Sequence, residues 1–309
     1  MLVSVIIPTH NESENVAIIS KQIASVFEPL EEEYELIFVD DSDDDTPLRL
    51  LAIAEEDRNI RVIFLTRSFG QAAAIKAGLS KCSGEAAIVM DVDGQDPPNL
   101  IPLLIENWKQ GFEVVLTQRD SQGTRIYEYF AKIFYAILSK FGEIPIPAKS
   151  GEFRLIDRKV IDFLTYSEEK NIFFRGQSVW PGYKSIALKF ERNTRISGKS
   201  NYNFRKSARV AANGITGFSL APLRLGYLAG FFFAGVSILV GAVGIAIKWL
   251  NPKLFSPGYM SLVVLIIVTT AFNLLFLAII GEYIGKIYQQ VLGRPDYVVR
   301  SQINFDGKN

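Results

Sequence analysis

A cluster of carboxylates and one amide follows a short apolar run in the first third of the chain. The run covers 86–90 and leads into Asp91, Asp93 and Gln95, which alternate along the sequence. If the chain is still extended there, alternate side chains share one face, so these groups can be held together. Carboxylate and amide oxygens suit hard divalent cations, which let a protein hold a diphosphate beside acids. The stretch therefore predicts a Mg²⁺ or Mn²⁺ site, with an acidic loop before a helix as the alternative.

The elements that must position this cluster are short apolar strands, each followed by polar residues. We predict strands over 2–7, 34–39, 61–65, 86–90 and 114–117. Helical patterns separate them, and strands that alternate with helices are typical of an α/β fold with a mainly parallel sheet. Ligands of such sheets bind at the carboxyl ends of the strands. The sequence thus predicts a binding site at that edge.

Two common phosphate-binding motifs are absent from the sequence. No Gly-x-Gly-x-x-Gly follows the first strand and no Gly-Lys-Ser/Thr motif occurs, so the usual backbone cradles for dinucleotides and triphosphates are missing. A metal ion and basic side chains then have to meet the phosphate charge, and Arg67 and Arg119 follow predicted strands. Each arginine taken alone is better explained as a solvated partner of a surface acid.

Two uncharged apolar segments, 225–247 and 254–281, predict membrane-spanning helices. Each is long enough for a bilayer, which needs about 20 helical residues. Only a short turn separates them, so we expect a helical hairpin with helices at about 225–249 and 259–283. Lys and Arg flank both ends of the hairpin, which predicts a multi-pass protein of the cell membrane with both flanks in the cytosol.

The formal net charge of zero conceals two halves of opposite charge. Residues 1–120 carry 9 Lys and Arg against 22 Asp and Glu, whereas the remainder carries 24 against 11. A basic half beside membrane helices favours contact with anionic lipid or phosphate. The single cysteine, Cys82, excludes an intrachain disulfide, which suits a reducing compartment.

These patterns divide the chain into four parts. They are a cytosolic α/β domain (1–202), an amphipathic interfacial helix (203–224), the membrane hairpin (225–285) and a cytosolic tail (286–309). Within the first part, Asp157 ends a predicted strand. Its position fits either a catalytic acid or the cap of a helix that starts at Arg158.

Seven short motifs occur in one order and together resemble the family 2 glycosyltransferases that act on polyprenyl phosphates. Bacterial bactoprenol glucosyltransferases are the nearest match and dolichyl-phosphate mannose synthase is more distant. The motifs are Pro8-Thr9-His10-Asn11-Glu12, Val39-Asp40-Asp41-Ser42, Arg67-Ser68-Phe69-Gly70, 91–98, 151–158, Arg175-Gly176-Gln177 and 218–224. The similarity covers nearly the whole chain.

The resemblance implies a GT-A fold, a nucleotide-sugar donor, a divalent metal and inversion at the anomeric carbon. Matching motifs place Pro8, Asn11, Glu12, Asp40 and Arg67 around the nucleoside, Asp91 against nucleotide or sugar, and Asp93 and Gln95, beside Asp91, on the metal. Asp157 would lie near the reacting centre with Asp93. The implied contacts to acceptor phosphate are Arg119, Arg125, Arg154, Lys199, Ser200 and Tyr202. Asn201 stands where relatives often carry lysine, and Lys199 is the candidate replacement.

The implied reaction transfers a hexose, most simply glucose from UDP-glucose, to undecaprenyl phosphate at the cytosolic membrane face. A phosphate monoester with a second pKa of about 6 is already mostly ionised near neutral pH, so a strong general base is hardly needed. GDP-mannose or a modified UDP-sugar would keep the same chemistry. A homo-oligomer is compatible with the sequence, and nothing in it indicates a nucleic-acid partner.

Two readings from other classes remain. A non-catalytic membrane scaffold with a degenerate nucleotide fold is disfavoured by the intact acids Asp91, Asp93 and Asp157. A processive polysaccharide synthase is disfavoured because the Gln-x-x-Arg-Trp signature is absent and two membrane helices are few for a polymer channel.

Overall fold

The computed structural model describes residues 1–119, 150–170, 173–190 and 259–305, and single helical positions between 230 and 250. The strands are β1 (Leu2–Thr9), β2 (Glu33–Asp40), β3 (Ile60–Leu65), β4 (Ala86–Val89), β5 (Val114–Arg119), β6 (Ser150–Asp157), β7 (Ser185–Phe190) and β8 (Val299–Ile303). The helices are α1 (Asn15–Phe27), α2 (Thr46–Glu56), α3 (Gln71–Leu79), α4 (Ile101–Lys109), α5 (Arg158–Tyr166), α6 (Phe174–Gln177) and α7 (Tyr259–Val291). All five strands expected in residues 1–119 are present.

The described strands form one sheet in the order β7-β5-β6-β4-β1-β2-β3-β8. β1 pairs in parallel with β2 and β4, β2 with β3, and β5 with β7. β6 runs antiparallel to both of its neighbours, and β8 runs antiparallel to β3. The remaining strands therefore point in one direction, which confirms a mainly parallel sheet with a common carboxyl edge.

Helices cover both faces of the sheet because the central strands are apolar on both sides. On one face, α1, α2 and α4 pack side chains such as Ile19, Leu50 and Leu104 against alternate strand residues. On the other face, α3, α5 and α6 pack against the intervening residues, with Ile75 and Val160 fully buried. This double burial is the reason that the strands read as continuous apolar runs rather than as alternating patterns.

Helix α3 lies especially close to β1 because Gly78 faces the sheet. A Cβ atom built at Gly78 would overlap Cγ2 of Ile6 and lie 3.1 Å from Cγ2 of Val39. The absence of a side chain therefore fixes how near α3 can lie, and with it the position of Gln71 at the start of the helix.

Helix α7 contains the second predicted membrane segment. Its part Val268–Val291 is long and apolar enough to cross a membrane, and within the described residues it is the one helix that meets this test. The first predicted membrane helix, at 225–249, falls almost wholly outside the described residues, although eight single positions between 230 and 250 are helical. The predicted interfacial helix at 203–224 also lies outside them.

The chain after α7 returns to the α/β sheet and adds β8 to the edge of β3. Asp296 forms ion pairs with Lys76 of α3 at 2.7 Å and with Lys170 at 3.4 Å. The side-chain amide of Asn304 donates to the carbonyl oxygens of Ala54 and Ile60. The segment predicted as a separate tail, 286–309, thus supplies an edge strand of the domain, whose predicted limit of 1–202 omits it.

Candidate active site

A cavity of about 320 Å³, here called the acidic cavity, lies at the carboxyl edge between β1, β4 and α3. Its lining residues are Pro8, Thr9, His10, Glu12, Asp41, Ser68, Gly70, Gln71, Ala74, Asp91, Val92 and Asp93. They follow four different strands, as expected for a ligand site of an open α/β sheet. The fold therefore brings Pro8, Glu12, Asp91 and Asp93 together in one cavity, and their individual roles towards a ligand stay predictions.

The loop that carries the two acids is a turn and not the extended segment assumed from the sequence. β4 ends at Val89, and Gly94 adopts a positive φ of 75° that turns the chain. Two carboxylates hold the turn: Asp93 accepts from the amide of Gln95 at 3.1 Å and Asp96 accepts from the amide of Asp91 at 3.2 Å. Asp91 and Asp93 still lie at one cavity. The turn brings them together there, and the alternation of side chains along a strand does not.

The donor atoms of this turn fit a hard cation. Asp93 is only 9% exposed. The oxygen Oε1 of Gln95 is buried and accepts no hydrogen bond within the described part of the chain, which is uncommon for a buried amide oxygen. Carboxylate and amide oxygens are the ligands that Mg²⁺ and Mn²⁺ take. The described residues hold no group of three or more His, Cys, Asp or Glu suited to a metal, so substrate oxygens would have to complete the coordination.

Asp91 is oriented by a residue that the sequence reasoning missed. Nε2 of Gln71, the first residue of α3, donates to Oδ1 of Asp91 at 2.7 Å. The signal was available in the sequence, because Gln71 directly follows the Arg67-Ser68-Phe69-Gly70 motif after β3. Gln71 also lines the acidic cavity, so it can contact a ligand as well as Asp91.

The loops after β1 and β2 are fastened to each other by Asn11. Its side chain exchanges hydrogen bonds with Asp43, at 2.7 and 3.1 Å, and its amide donates to Oγ of Ser42 at 2.8 Å. Asn11 has a positive φ of 59°, a conformation that asparagine tolerates better than most residues. Glu12 lines the acidic cavity, whereas the contacts of Asn11 hold the cavity wall in place.

Asp40 and Arg67 line a second, adjacent cavity of about 220 Å³, here called the tail cavity because β8 forms one of its walls. It shares Asp41 with the acidic cavity. Asp40 is 2% exposed and accepts hydrogen bonds from Oγ1 of Thr9 at 3.0 Å and Oγ of Ser42 at 2.6 Å. Burial raises the pKa of Asp40, and these hydrogen bonds oppose the rise.

Asp157 lies at the opposite edge of the sheet, which contradicts its expected place near the reacting centre. It pairs with Ala86 at the start of β4, five residues before Asp91, so about 16 Å of strand separates the two acids. Its carboxylate accepts from the amide of Lys159 at 3.0 Å and from the indole of Trp108 at 2.8 Å. Asp157 therefore caps α5, the alternative that the sequence left open.

Glu152 is the acid of β6 that does reach the carboxyl edge. The antiparallel register pairs Val89 with Arg154, and its continuation by two residues places Glu152 at the level of Asp91. One carboxylate oxygen accepts from Nε of Arg175 at 2.7 Å. The other is buried and accepts no hydrogen bond within the described residues. The pair joins two of the sequence motifs, those at 151–158 and at Arg175-Gly176-Gln177.

Arg154, expected to contact the acceptor phosphate, is not among the residues that line the acidic cavity. It is fully buried, and its guanidinium donates to Ser178 Oγ at 2.6 Å and to the carbonyl oxygens of Arg175 and Gly151. The guanidinium also lies 5.2 Å from the ring centre of Phe174. Arg154 therefore fixes α6 beneath β6 and holds the backbone on both sides of the Glu152–Arg175 pair. Its contact with an acceptor phosphate stays a prediction.

The remaining predicted acceptor residues are only partly placed. Arg119 ends β5 beside Phe190, at the carboxyl edge of the sheet, as predicted from its position after a strand. The other four, Arg125, Lys199, Ser200 and Tyr202, lie outside the described residues.

The comparison with known proteins agrees with this architecture. The family "Glycosyl transferase family 2" matches residues 4–165. The chain is 35% identical over 305 residues to the SfII prophage-derived bactoprenol glucosyl transferase of Shigella flexneri, covering 97% of this chain and 98% of that protein. It is 34% identical over 306 residues to the prophage bactoprenol glucosyl transferase homolog of Escherichia coli K12, covering 97% and 99%.

Similarity to solved structures is weaker. Mannosyl-3-phosphoglycerate synthase from Rubrobacter xylanophilus matches with a TM-score of 0.49 and 16% identity, covering 84% of this chain and 78% of that one. The family match and the sheet topology confirm the expected GT-A-like α/β fold. The chain belongs to glycosyl transferase family 2 and is a transferase enzyme.

Proposed function

We propose that this transferase moves a hexose, most simply glucose from UDP-glucose, onto a polyprenyl phosphate such as undecaprenyl phosphate at the cytosolic membrane face. The observation that carries the proposal is the acidic cavity at the carboxyl edge, which Asp91 and Asp93 line. Gln95, two residues after Asp93 in the same turn, has a buried side-chain oxygen that accepts no hydrogen bond within the described residues. Two relatives that span nearly the whole chain are named bactoprenol glucosyl transferases, which supports the lipid acceptor. Helix α7, which contains one segment long and apolar enough to cross a membrane, supports a membrane-bound enzyme.

In this proposal, Asp93 and Gln95 hold Mg²⁺ or Mn²⁺ with Asp91 beside them. The cation would neutralise the charge that develops on the departing nucleoside diphosphate. Gln71 keeps the carboxylate of Asp91 directed at the donor through the 2.7 Å hydrogen bond. The nucleoside extends past Asp41 towards Asp40 and Arg67 in the tail cavity.

The chemical step exchanges one phosphate for another at the anomeric carbon. An oxygen of the lipid phosphate forms a new bond to that carbon, and the bond to the diphosphate oxygen breaks, so one displacement inverts the configuration. The lipid phosphate is already ionised near neutral pH, so the protein mainly has to align the two reactants. No proton needs to be abstracted when the dianion attacks.

In this proposal the Glu152–Arg175 pair, rather than Asp157, lies near the reacting centre. Glu152 stands at the level of Asp91, and its carboxylate fixes the guanidinium of Arg175 at 2.7 Å. A guanidinium held in this way can donate further hydrogen bonds to a phosphate. We assign Arg175 to the acceptor phosphate and Glu152 to its orientation.

The experiment uses the purified full-length chain in lipid nanodiscs with undecaprenyl phosphate, Mn²⁺ and radiolabelled UDP-glucose, GDP-mannose or a modified UDP-sugar. We expect a labelled glycolipid with one donor and a loss of at least roughly 100-fold in Asp93→Asn. Asp162→Asn is the matched control, because Asp162 is exposed on α5 and pairs only with Arg158 among the described residues.

Other outcomes would change the account in different ways. Product with GDP-mannose alone would change the donor but keep the chemistry. Absence of glycolipid with every donor would contradict the transfer to a polyprenyl phosphate. Full turnover in Asp93→Asn would contradict the assignment of the acidic cavity.

A further inference from the structure

Arg300 occupies an irregular position in the strand that follows the membrane helix. β8 pairs Ser301 with Phe64, but the next pair is Val299 with Leu65, so the register shifts by one residue. Arg300 is the extra residue of this bulge. Bulges of this kind change the direction of a side chain and often lie beside active sites. Here the bulge places the guanidinium of Arg300 at the carboxyl end of β3, where Nη2 donates to the carbonyl oxygen of Thr66 at 3.0 Å.

The side chain of Arg300 enters the wall of the tail cavity. Leu51, Phe64 and Ile303 supply apolar walls, while Asp41 and Arg300 are among its polar lining residues. Apolar walls with a few polar groups suit a flat ring that forms hydrogen bonds at its edge. The volume of about 220 Å³ is large enough for one nucleobase but too small for a whole nucleotide sugar.

The two cavities are adjacent in the way that a nucleotide requires. They share Asp41, with the acids Asp91 and Asp93 in the acidic cavity and the two arginines, Arg67 and Arg300, in the tail cavity. A diphosphate held at the acids would extend its ribose past Asp41 and bring its base to the arginines.

Both arginines keep hydrogen-bonding capacity for a ligand. Arg67 lies over the ring of Phe69 at 4.0 Å and donates to the carbonyl oxygen of Ser68 at 3.1 Å. Among the described residues, the side chain of Arg300 makes one hydrogen bond, to the carbonyl oxygen of Thr66. Within the described part of the chain, neither guanidinium is in an ion pair. A guanidinium has five N–H donors, so most of those on Arg300 remain for oxygens of a bound molecule.

We propose that Arg300 binds the nucleotide-sugar donor. Its guanidinium would donate hydrogen bonds to carbonyl oxygens of the nucleobase. This inference rests on the proposed nucleotide-sugar donor and adds a residue from the segment after the membrane helix. Uracil and guanine both present ring carbonyl oxygens, whereas adenine presents none. The tail strand thereby completes the donor site instead of merely covering the edge of β3.

The experiment has to distinguish nucleobase binding by Arg300 from a purely structural role of its side chain. The ladder with β3, the Asp296–Lys76 ion pair and the two bonds from Asn304 also hold the strand. The loss of one exposed side-chain bond at Arg300 should therefore leave the fold in place. A binding role would instead lower affinity for a nucleoside diphosphate at unchanged thermal stability.

The test measures binding of UDP, in the presence of Mn²⁺, to the full-length protein in detergent by calorimetry. We expect Arg300→Ala to weaken UDP binding roughly tenfold, as for the loss of a hydrogen bond to a charged group. Arg300→Lys should recover part of the affinity, and inorganic pyrophosphate should bind wild type and Arg300→Ala alike. Arg294→Ala, an exposed arginine of the same segment outside the cavity, is the control and should bind as wild type does.

Each contrary result has a separate meaning. UDP affinity within twofold of wild type in Arg300→Ala overturns the inference, as does a loss accompanied by a matching fall in melting temperature. An equal loss for pyrophosphate would assign Arg300 to the diphosphate and overturn the contact with the base. If wild type binds no nucleoside diphosphate, the proposed donor itself fails.

Discussion

At the scale of single residues, the acids of this protein divide into those that hold ligands and those that hold the fold. Asp93 lies at the acidic cavity, in the same turn as the buried side-chain oxygen of Gln95. Asp157 instead caps a helix at the other end of β4, about 16 Å from the level of Asp91. Sequence alternation predicted Asp91, Asp93 and Gln95 as a group, although it assumed the wrong backbone conformation. Gln71 and Glu152 were missed because their relation to Asp91 depends on how other elements pack.

Asp40 is expected to make stability depend on pH. Burial raises its pKa above the unfolded value of 3.8, so between these two pH values the folded protein binds more protons than the unfolded chain. Stability from this group is therefore present at low pH and falls as the pH rises through the folded pKa. Asp40→Asn removes the buried charge and should raise the melting temperature relative to wild type more at pH 7 than near pH 4.

Melting temperatures at the two pH values, measured without nucleotide, check this prediction. The same variant should bind UDP more weakly, because Asp40 lines the tail cavity. An equal difference in melting temperature at both pH values would show that the buried charge of Asp40 does not contribute.

The two acids of β6 give the sharpest contrast between site and scaffold. Glu152→Gln should lower turnover roughly 100-fold, because Arg175 loses the charge that orients it. Asp157→Ala should keep turnover within a few-fold and reduce stability by about 1–2 kcal/mol, through the lost helix cap. Turnover and thermal unfolding of both variants check this, and the opposite pattern would return the catalytic role to Asp157.

At the scale of secondary-structure elements, the direction of β6 explains the misplaced acid. A pattern of strands and helices predicts parallel strands, and an acid after a parallel strand lies at the carboxyl edge. β6 enters the sheet antiparallel between β4 and β5, so its end lies at the amino edge and its start carries Glu152 to the site. Apolar runs predict where a strand forms but not its direction in the sheet, because the direction depends on the path of the connecting chain.

The packing of α3 on β1 offers a test at this scale. Gly78→Ala would force a methyl group against Ile6 and Val39, which should cost about 1–3 kcal/mol of stability and shift Gln71 relative to Asp91. Gly285→Ala in α7 is the control, since nothing lies within 4 Å of its added carbon. We expect lower thermal stability and weaker UDP binding for Gly78→Ala only, measured side by side; unchanged stability would show that α3 can move without cost.

At the scale of the whole molecule, the described chain after α7 is part of the α/β domain. β8 is short and mostly polar, so its sequence gave no reason to place it in the sheet. Its position becomes evident only from long-range contacts, those of Asp296 with Lys76 and of Asn304 with Ala54 and Ile60. The domain division at 202 failed for this reason, whereas the apolar segment within α7 was predictable from its length and composition.

Substitution of Asn304 tests how the segment after α7 is held against the α/β domain. It has a positive φ of 60° and donates two hydrogen bonds at the end of β8. Asn304→Ala should cost about 1–3 kcal/mol and make the segment after α7 more accessible to protease, because both carbonyl partners lose a donor. Limited proteolysis followed by mass spectrometry checks this, with Asn273→Ala in α7 as control; equal cleavage of both variants would show that the tail is held without Asn304.

The central claim is that the acids of one turn bind a nucleotide through a divalent cation. Electron paramagnetic resonance of the Mn²⁺ and UDP that stay with the protein in nanodiscs, after unbound Mn²⁺–UDP has been removed, measures this directly, because phosphorus nuclei beside bound Mn²⁺ give a hyperfine coupling. We predict that wild type binds Mn²⁺ with this coupling and that Asp93→Asn does not. Retention of the same coupled signal in Asp93→Asn would contradict the account.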